Sequence, residues 1–354
     1  MKSAATNAIT IEEKIKAKAL RLGFSLCGIT TPEPPSHFGI YEHWLEQSNH
    51  ADMDYLASSR HVEFRKDPNM LMPGIKSILS LAWSYPIRPV NSLHETRSGW
   101  IAGYADGKDY HSWLPKKLKA LTIFIEQEVE QSIVAGTYSD SAPILEREIA
   151  SRAGLGWIGK NSCVISPEIG STFLLGKIFL DYPLTTDSPF LKDLCGTCKK
   201  CIEACPTGCI LPNRTIDSRR CLSYQTIENR GSIPQELRKL TGNWLFGCDI
   251  CQMVCPWNQK ASSRISSTRL FNYSINEVFY LLSLSLEEYK TRFGGSAISR
   301  TKWKGLMRNI LVFLGNSGVE DAKNQIQQFL NWNSDQDLLD TAIWAFHQIE
   351  NANK

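Results

Sequence analysis

Eight of the eleven cysteines in this 354-residue chain fall into a pattern that leaves little freedom for the fold around them. The first run reads Cys195-Gly-Thr-Cys198-Lys-Lys-Cys201-Ile-Glu-Ala-Cys205-Pro206. The second, Cys248-Asp-Ile-Cys251-Gln-Met-Val-Cys255-Pro256, is a copy short of one cysteine, which Cys221 between them can supply. The C-x2-C-x2-C-x3-C-P spacing holds [4Fe–4S] cubanes, with three cysteines on one cluster and the fourth, before proline, on the other. Applied to both runs, this gives Cys195, Cys198, Cys201 and Cys255 on one cluster and Cys205, Cys221, Cys248 and Cys251 on the second. Pro206 and Pro256 break the backbone after each run, which suits a loop wrapped around inorganic sulfide. Structural zinc is the competing reading of paired C-x2-C. Four cysteines within eleven residues, followed by proline, are not its usual layout.

The rest of the composition bounds the class. Hydrophobic content of 42% and charged content of 21% are those of a globular chain, long enough for two or three domains. No apolar run is long enough to span a bilayer. Residues 1–18 carry neither an apolar leader core nor a twin-arginine pair, so the expected location is the reducing cytoplasm, with thiols and not disulfides. Net charge is only +3. Residues 192–264, however, hold eleven Lys/Arg against six Asp/Glu, and Arg300, Lys302, Lys304 and Arg308 form a run without acids. A basic face beside a redox centre points to a phosphate-bearing partner, and a solvated helix face is the alternative for the second run.

In chain order, periodicity predicts an amphipathic helix at 11–22, then the short apolar segment FSLCGIT, a Pro-rich loop at 32–35 and a helix at 38–47. A buried strand is expected at 77–85, a long helix from 113 to about 131, a helix at 143–153 and strands in SCVIS and STFLLGKIFL. Alternating helices and strands give the first half an α/β character. Gly154-Leu-Gly156-Trp-Ile-Gly159 fits G-x-G-x-x-G, but a helix precedes it and a strand follows, the reverse of a dinucleotide site. The glycines are expected to turn tightly against a flat or bulky ligand. Helices are predicted at 302–314, ended by Gly315-Asn316, at 319–331 and at 336–349, with Leu339, Ile343 and Phe346 sharing a face. Short helices joined by tight turns read as a HEAT-like stack. Cys27, Cys163 and Cys209 are surplus to the clusters and are expected to be structural.

Outside the cysteines lies an ordered set: Gly107-Lys-Asp-Tyr-His111, Asp140-Ser-Ala-Pro143, Glu146-Arg147, Ala153-Gly-Leu-Gly-Trp-Ile-Gly-Lys-Asn161, Cys221-Leu-Ser223-Tyr and Gly247-Cys-Asp249. Together with the cysteine runs it resembles the epoxyqueuosine reductases, cobalamin-dependent enzymes that finish queuosine in tRNA. The similarity covers nearly the whole chain, with a tail shorter than in some relatives. It implies a mixed α+β or α/β fold: a cobalamin-binding catalytic domain at 1–190, a ferredoxin-like two-cluster domain at 191–262 and a HEAT-like, tRNA-contacting segment at 263–354. It further implies reduction of epoxyqueuosine at the anticodon wobble position, the last step of queuosine biosynthesis, with Asp140 as proton donor. Helix capping is the ordinary role for such an aspartate, and donation near neutral pH requires burial to raise its pKa. By position, the resemblance assigns cobalamin contacts to Arg65, Ala102, Asp140, Lys160, Asn161, Val164, Leu175, Ser223 and Asp249. Phosphate contacts are expected from Lys199, Lys200 and the run from Arg300 to Arg308.

Two other functions compete. A reductive dehalogenase-like enzyme would use the same cobalamin and clusters, though export by a twin-arginine signal is typical there. A ferredoxin-type electron carrier would need neither the long region ahead of the clusters nor the Asp140 motif. An external low-potential reductant is implied in every case, and nothing requires more than a monomer.

Overall fold

A computed structural model describes residues 9–90, 97–262 and 272–352; Arg264 and the expected boundary after 262 fall outside them. The strands in chain order are β1 (Leu26–Thr30), β2 (Ser77–Ser84), β3 (Ser98–Ile101), β4 (Ala135–Tyr138), β5 (Trp157–Ile158), β6 (Val164–Ile165), β7 (Phe173–Leu180), β8 (Trp244–Phe246) and β9 (Asn272–Ser274). The helices that matter below are α1 (Ile11–Leu22), α2 (Phe38–Glu46), α3 (Tyr110–Val129), α4 (Glu146–Arg152), α5 (Leu222–Ile227), α6 (Ile275–Leu282), α7 (Lys302–Ser317), α8 (Ala322–Trp332) and α9 (Gln336–Ala352).

The main sheet has the order β1-β2-β7-β4, and every neighbouring pair is antiparallel. Alternation of helix and strand had pointed to α/β, but no βαβ crossover forms here, so this region is α+β. The sheet is buried on both faces. Leu79, Leu81, Ile178 and Leu180 meet Ile15 and Ala19 of α1 and Leu114, Leu118 and Leu121 of α3. Ile78 and Phe179 meet Ile149 of α4 on the other face, and Ala82 and Phe173 meet Ala150. A second sheet, β8-β3-β9, joins a strand from the first third of the chain to two from the last. Those three short strands lacked an alternating pattern long enough to read.

Several boundaries moved for identifiable reasons. α1 begins where Thr10 and Glu13 form a capping box and stops at left-handed Gly23. α3 starts at Tyr110, ahead of the expected position, because the Asp109 carboxylate accepts from the His111 amide and caps it. α4 is shorter than expected, with Leu145 at its cap position; Asp140 lies outside it in a left-handed turn, φ 58°. Gly315 does not end α7, which runs on to Ser317 and stops at left-handed Gly318. Gly315 instead lets α9 approach, since a Cβ there would sit 2.8 Å from the Ala345 Cα. The same close contact selects the buried face of α9: Leu338, Thr341, Ala342, Ala345 and Ile349, with Ile343 turned to solvent. Among the described residues no helix is long and apolar enough to cross a membrane.

Candidate active site

The G-x-G-x-x-G turn connects α4 to the β5-β6 hairpin. A Cβ on Gly156 would come within 2.0 Å of the Ile165 carbonyl, so the crowding partner is the hairpin's own backbone and not a ligand. Trp157, buried in this turn, donates from Nε1 to the Cys195 sulfur at 3.3 Å and stacks on Phe190. Lys160 Nζ donates to the carbonyls of Gly196 (2.7 Å) and Cys198 (2.9 Å). Arg214 joins the Ile158 carbonyl to Asp193. These bonds clamp the first cysteine run onto the sheet domain.

The thiols themselves gather in two neighbourhoods. Burial, then the fields of Cys195, Cys255 and Cys198, raises the pKa of Cys201. Cys248 is raised by burial too, with Cys221 and Cys205 among its charged neighbours, and Cys251 by burial with Cys163, Cys248 and Cys221 around it. Crowded soft donors of this kind are the ligand set of iron–sulfur clusters. Cys209 lies beside the second group, its sulfur 3.5 Å from that of Cys205.

A cleft of about 210 Å³ opens between the main sheet and the second cysteine run. Phe173 and Leu175 of β7 and Val164 of β6 form an apolar wall; Tyr85, Tyr110, Asp140, Cys163 and Gln252 are also in its lining. Cys163, expected to be structural, therefore faces the cavity. Gln252 is the residue after Cys251, so the cysteine run itself forms part of the cleft wall. A buried network fixes it: Ser171 Oγ donates to Gln252 Oε1 (3.1 Å), and Asn258 Nδ2 donates to the Gln252 carbonyl (2.8 Å) and to Ser171 Oγ (2.9 Å). Asn161, 1% exposed, carries an amide nitrogen with no partner among the described residues, the kind of buried polar group that calls for one.

At the cleft, Asp140 is gripped by three donors from distant segments. Tyr110 Oη donates to its Oδ2 at 2.8 Å and Arg300 at 2.9 Å. His111 Nε2 lies 3.3 Å away, while the Nδ1 of the same ring contacts Asp109 at 2.8 Å. The Asp140 amide donates to Glu146 Oε1 at 3.2 Å. Burial alone would raise this carboxyl. The hydrogen bond from His111, the charge and hydrogen bond of Arg300 and the bond from Tyr110 outweigh it and hold Asp140 well below the usual range. The expected rise is thus reversed: the carboxylate is ionised, and the side chain remains 46% exposed. His111 moves up in return, mainly through its bond to Asp140, against desolvation and with Asp109 adding.

The other expected contacts divide. Val164 and Leu175 line the cleft, and Asn161 sits two positions before Cys163, which also lines it. Arg65 is 9% exposed, stacked on the Tyr41 ring at 5.5 Å. Ala102 donates from its amide to the Phe246 carbonyl at 2.8 Å, and Asp249 accepts from the Gly103 amide at 2.6 Å. Burial pushes Asp249 up to about 6. Ser223 lies in α5, two residues after Cys221. Lys160, Ala102 and Asp249 are thus engaged in bracing the cysteine loops. Tyr110 and His111 carried no expected role of their own, and Arg300 was expected on a phosphate and not on Asp140. The first two stood inside a quoted motif, but nothing local linked Arg300 to Asp140, 160 positions away.

The basic run is not a free cationic face. Arg308, 2% exposed, donates to the carbonyls of Asn229, Gly231 and Gln225. Lys304 pairs with Asp335 and Asp337, and Arg300 with Asp140 and Glu228. Acids remote in sequence neutralise Arg300 and Lys304. Lys302, Lys199 and Lys200 are exposed.

Comparison with known proteins fits this layout. Residues 194–258 match a 4Fe-4S double cluster binding domain and residues 65–141 the epoxyqueuosine reductase QueG family model. The epoxyqueuosine reductase of Escherichia coli is 38% identical over 97% of this chain and 91% of its own length. That of Francisella cf. novicida is 39% identical over 95% and 96%. The structure of epoxyqueuosine reductase from Streptococcus thermophilus superposes with a TM-score of 0.84 at 30% identity, covering 96% of this chain and 90% of that one. Another, of an epoxyqueuosine reductase with an epoxyqueuosine-modified tRNA-Tyr stem loop, has a TM-score of 0.79 at 25% identity, covering 96% and 99%. With relatives this similar along almost their full length, the chain belongs to the epoxyqueuosine reductase family.

Proposed function

We propose that this protein reduces the epoxide of epoxyqueuosine at the wobble position of a tRNA anticodon to the alkene of queuosine, the last step of queuosine biosynthesis. The reaction consumes two electrons and two protons and releases the oxygen as water. One observation carries the reading: the triply bonded Asp140 and Gln252, next to Cys251, line the same cleft. Proton and electron supply thus meet in one place.

The eight cysteines are assigned as read from spacing: Cys195, Cys198, Cys201 and Cys255 on one cluster, Cys205, Cys221, Cys248 and Cys251 on the other. Cobalamin is the organic cofactor assigned to the cleft; when bound it supplies a strongly reducing, nucleophilic cobalt that the protein itself cannot provide. Val164 and Leu175 offer it an apolar wall, and Asn161, three positions before Val164, carries a buried amide nitrogen without a partner among the described residues. Arg65 and Ser223 complete the assigned set, while Lys160, Ala102 and Asp249 act through the loops they brace.

Opening an epoxide generates an alkoxide that must be protonated before oxygen can leave. Asp140 is assigned as the donor. Because its carboxylate is held ionised, it must first receive a proton, and His111 is the hydrogen-bonded neighbour whose raised pKa favours carrying one. Arg300 holds Asp140 in its ionised form, so loosening that ion pair as substrate enters would let the carboxyl take the proton. A relative's structure, from Bacillus subtilis, has its aspartate catalytic loop swung out of the active site. The left-handed turn at Asp140 is the corresponding movable element here.

The regions 1–190, 191–262 and 263–354 divide the work into cofactor binding, electron supply and a HEAT-like, tRNA-contacting tail. Exposed Lys199, Lys200 and Lys302 contact phosphates, the wobble base is splayed out of its loop to reach the cleft, and binding weakens with salt. The protein acts as a monomer in the reducing cytoplasm, with an external low-potential donor feeding the clusters. Purified, reconstituted protein should convert an epoxyqueuosine-bearing anticodon stem loop to queuosine, read by mass spectrometry as loss of one oxygen. Reconstituted protein with both clusters and cobalamin but no conversion would overturn the proposal.

A further inference from the structure

The cysteine region holds nine cysteines, one more than two cubanes use. We propose that the ninth, Cys209, is an alternative ligand for the iron assigned to Cys205, an inference that rests on the ligand sets proposed above. The turn Cys205-Pro-Thr-Gly-Cys209 brings the two side chains together: the Gly208 amide donates to the Cys205 carbonyl at 3.2 Å, and Gly208 takes a left-handed φ of 62°. The two sulfurs come within 3.5 Å. Cys209 is 4% exposed, and Cys221 is its other neighbouring thiol. Its backbone is pinned beside the segment carrying Cys221, since the Asp217 amide donates to the Cys209 carbonyl at 2.9 Å and Ile210 bridges to Ile216. A third thiol is therefore held against two sulfurs of one proposed ligand set.

Geometry makes Cys209 a substitute and not a fifth ligand. The terminal thiolates of a cubane point away from four separate corners, so two sulfurs in contact cannot serve two irons at once. While Cys205 is bound, Cys209 stays a thiol and donates an S–H···S bond to it, a contact of the kind that tunes cluster potentials. If Cys205 is removed, Cys209 needs only a side-chain rotation to reach the same iron as a thiolate. A buried cysteine acting merely as a small apolar residue would not do this.

Iron and sulfide content, with the electron paramagnetic resonance spectrum of the dithionite-reduced protein, test it on full-length anaerobically reconstituted chains. Wild type and Cys209→Ala should each carry about eight irons, and so should Cys205→Ala, with an altered spectrum for one cluster. The Cys205→Ala/Cys209→Ala double variant should fall to about four irons. Cys205→Val, which fills the vacated volume, should behave as Cys205→Ala and guards against a packing defect. Loss of four irons from both Cys205 single variants, or full iron in the double, would overturn the proposal. Cys248→Ala separates the two levels: among the described residues no spare thiol is hydrogen-bonded to Cys248, so this variant should lose one cluster. Full iron there would sink the ligand assignment itself and the inference with it.

Discussion

The cysteine region and the Asp140 site are built by opposite strategies. The thiols of the first lie between Cys195 and Cys255, mostly within short runs where each one's position is set by the next few residues. Around Asp140, Tyr110 comes from 30 positions away and Arg300 from 160. A metal cluster needs donors at fixed spacing, which a short loop can supply by itself. A carboxylate's proton affinity is a property of the whole local field, so any segment the fold brings near can set it. Spacing is therefore readable in one dimension and charge environment is not.

The largest expected effect breaks the two regions apart cleanly. Asp140→Asn should keep both clusters and lower the rate of epoxide reduction by about 100- to 10,000-fold, the usual worth of a positioned acid. Single-turnover assays on the modified stem loop, alongside iron analysis, read both quantities. An Asn variant that reduces the epoxide at near wild-type rate would remove Asp140 from the chemistry and leave only its structural contacts.

Next comes Arg308, which belongs to neither site but ties the helical tail to the cysteine region. Its guanidinium satisfies the buried carbonyls of Gln225, Asn229 and Gly231. Arg308→Met would leave them without their donor, at a cost of about 3 kcal/mol or more. Urea unfolding measures this. A loss below about 1 kcal/mol would mean that water replaces the guanidinium and that the connection is looser than it looks.

What could be read in advance follows the same division. The helix at 11–22, the strands around Ile78 and Phe179 and the cysteine runs all rest on short-range pattern, and all were legible. The antiparallel order β1-β2-β7-β4 was not, because periodicity marks a strand without naming its neighbours. β3, β8 and β9 are three or four residues each and pair across the length of the chain, so no local signal existed. The basic run from Arg300 to Arg308 misled for a related reason. Its acids, Asp140, Glu228, Asp335 and Asp337, are brought to it only by folding. Asp140 was found by motif, but the sign of its pKa shift was set by Arg300 and His111 and could not have been.

The coupling of His111 and Asp140 gives a smaller, pH-dependent effect. His111 is raised, so its contribution to stability is complete below the unfolded value of about 6.5 and is lost as pH rises through the folded pKa. Asp140 is lowered, so its contribution is present above an unfolded value of about 3.9 and is lost as pH falls through the folded pKa. Both operate together between roughly pH 4 and 6.5. His111→Gln should lower the melting temperature inside that window and leave it nearly unchanged at pH 9. With Asp140 46% exposed, the difference is discounted to about 1 kcal/mol or less. An equal loss at both pH values would show that His111 acts by packing alone.

The smallest expected effect tests whether the neutralised basic run touches RNA. Lys304 is 38% exposed and shared between Asp335 at 2.8 Å and Asp337 at 2.7 Å, so Lys304→Ala should cost less than about 1 kcal/mol of stability. It should also leave the salt dependence of stem-loop binding almost unchanged, because a lysine paired with two acids has no net charge to offer a phosphate. Lys199→Ala/Lys200→Ala removes two exposed cations within the first cysteine run, and the slope of log affinity against log salt should shrink by roughly one and a half units. Titrations of the modified stem loop across a range of salt concentrations compare the two directly. If Lys304→Ala flattens the slope as much as the double variant does, its ion pairs must open on binding, and Lys304 joins Lys302 in contacting the RNA.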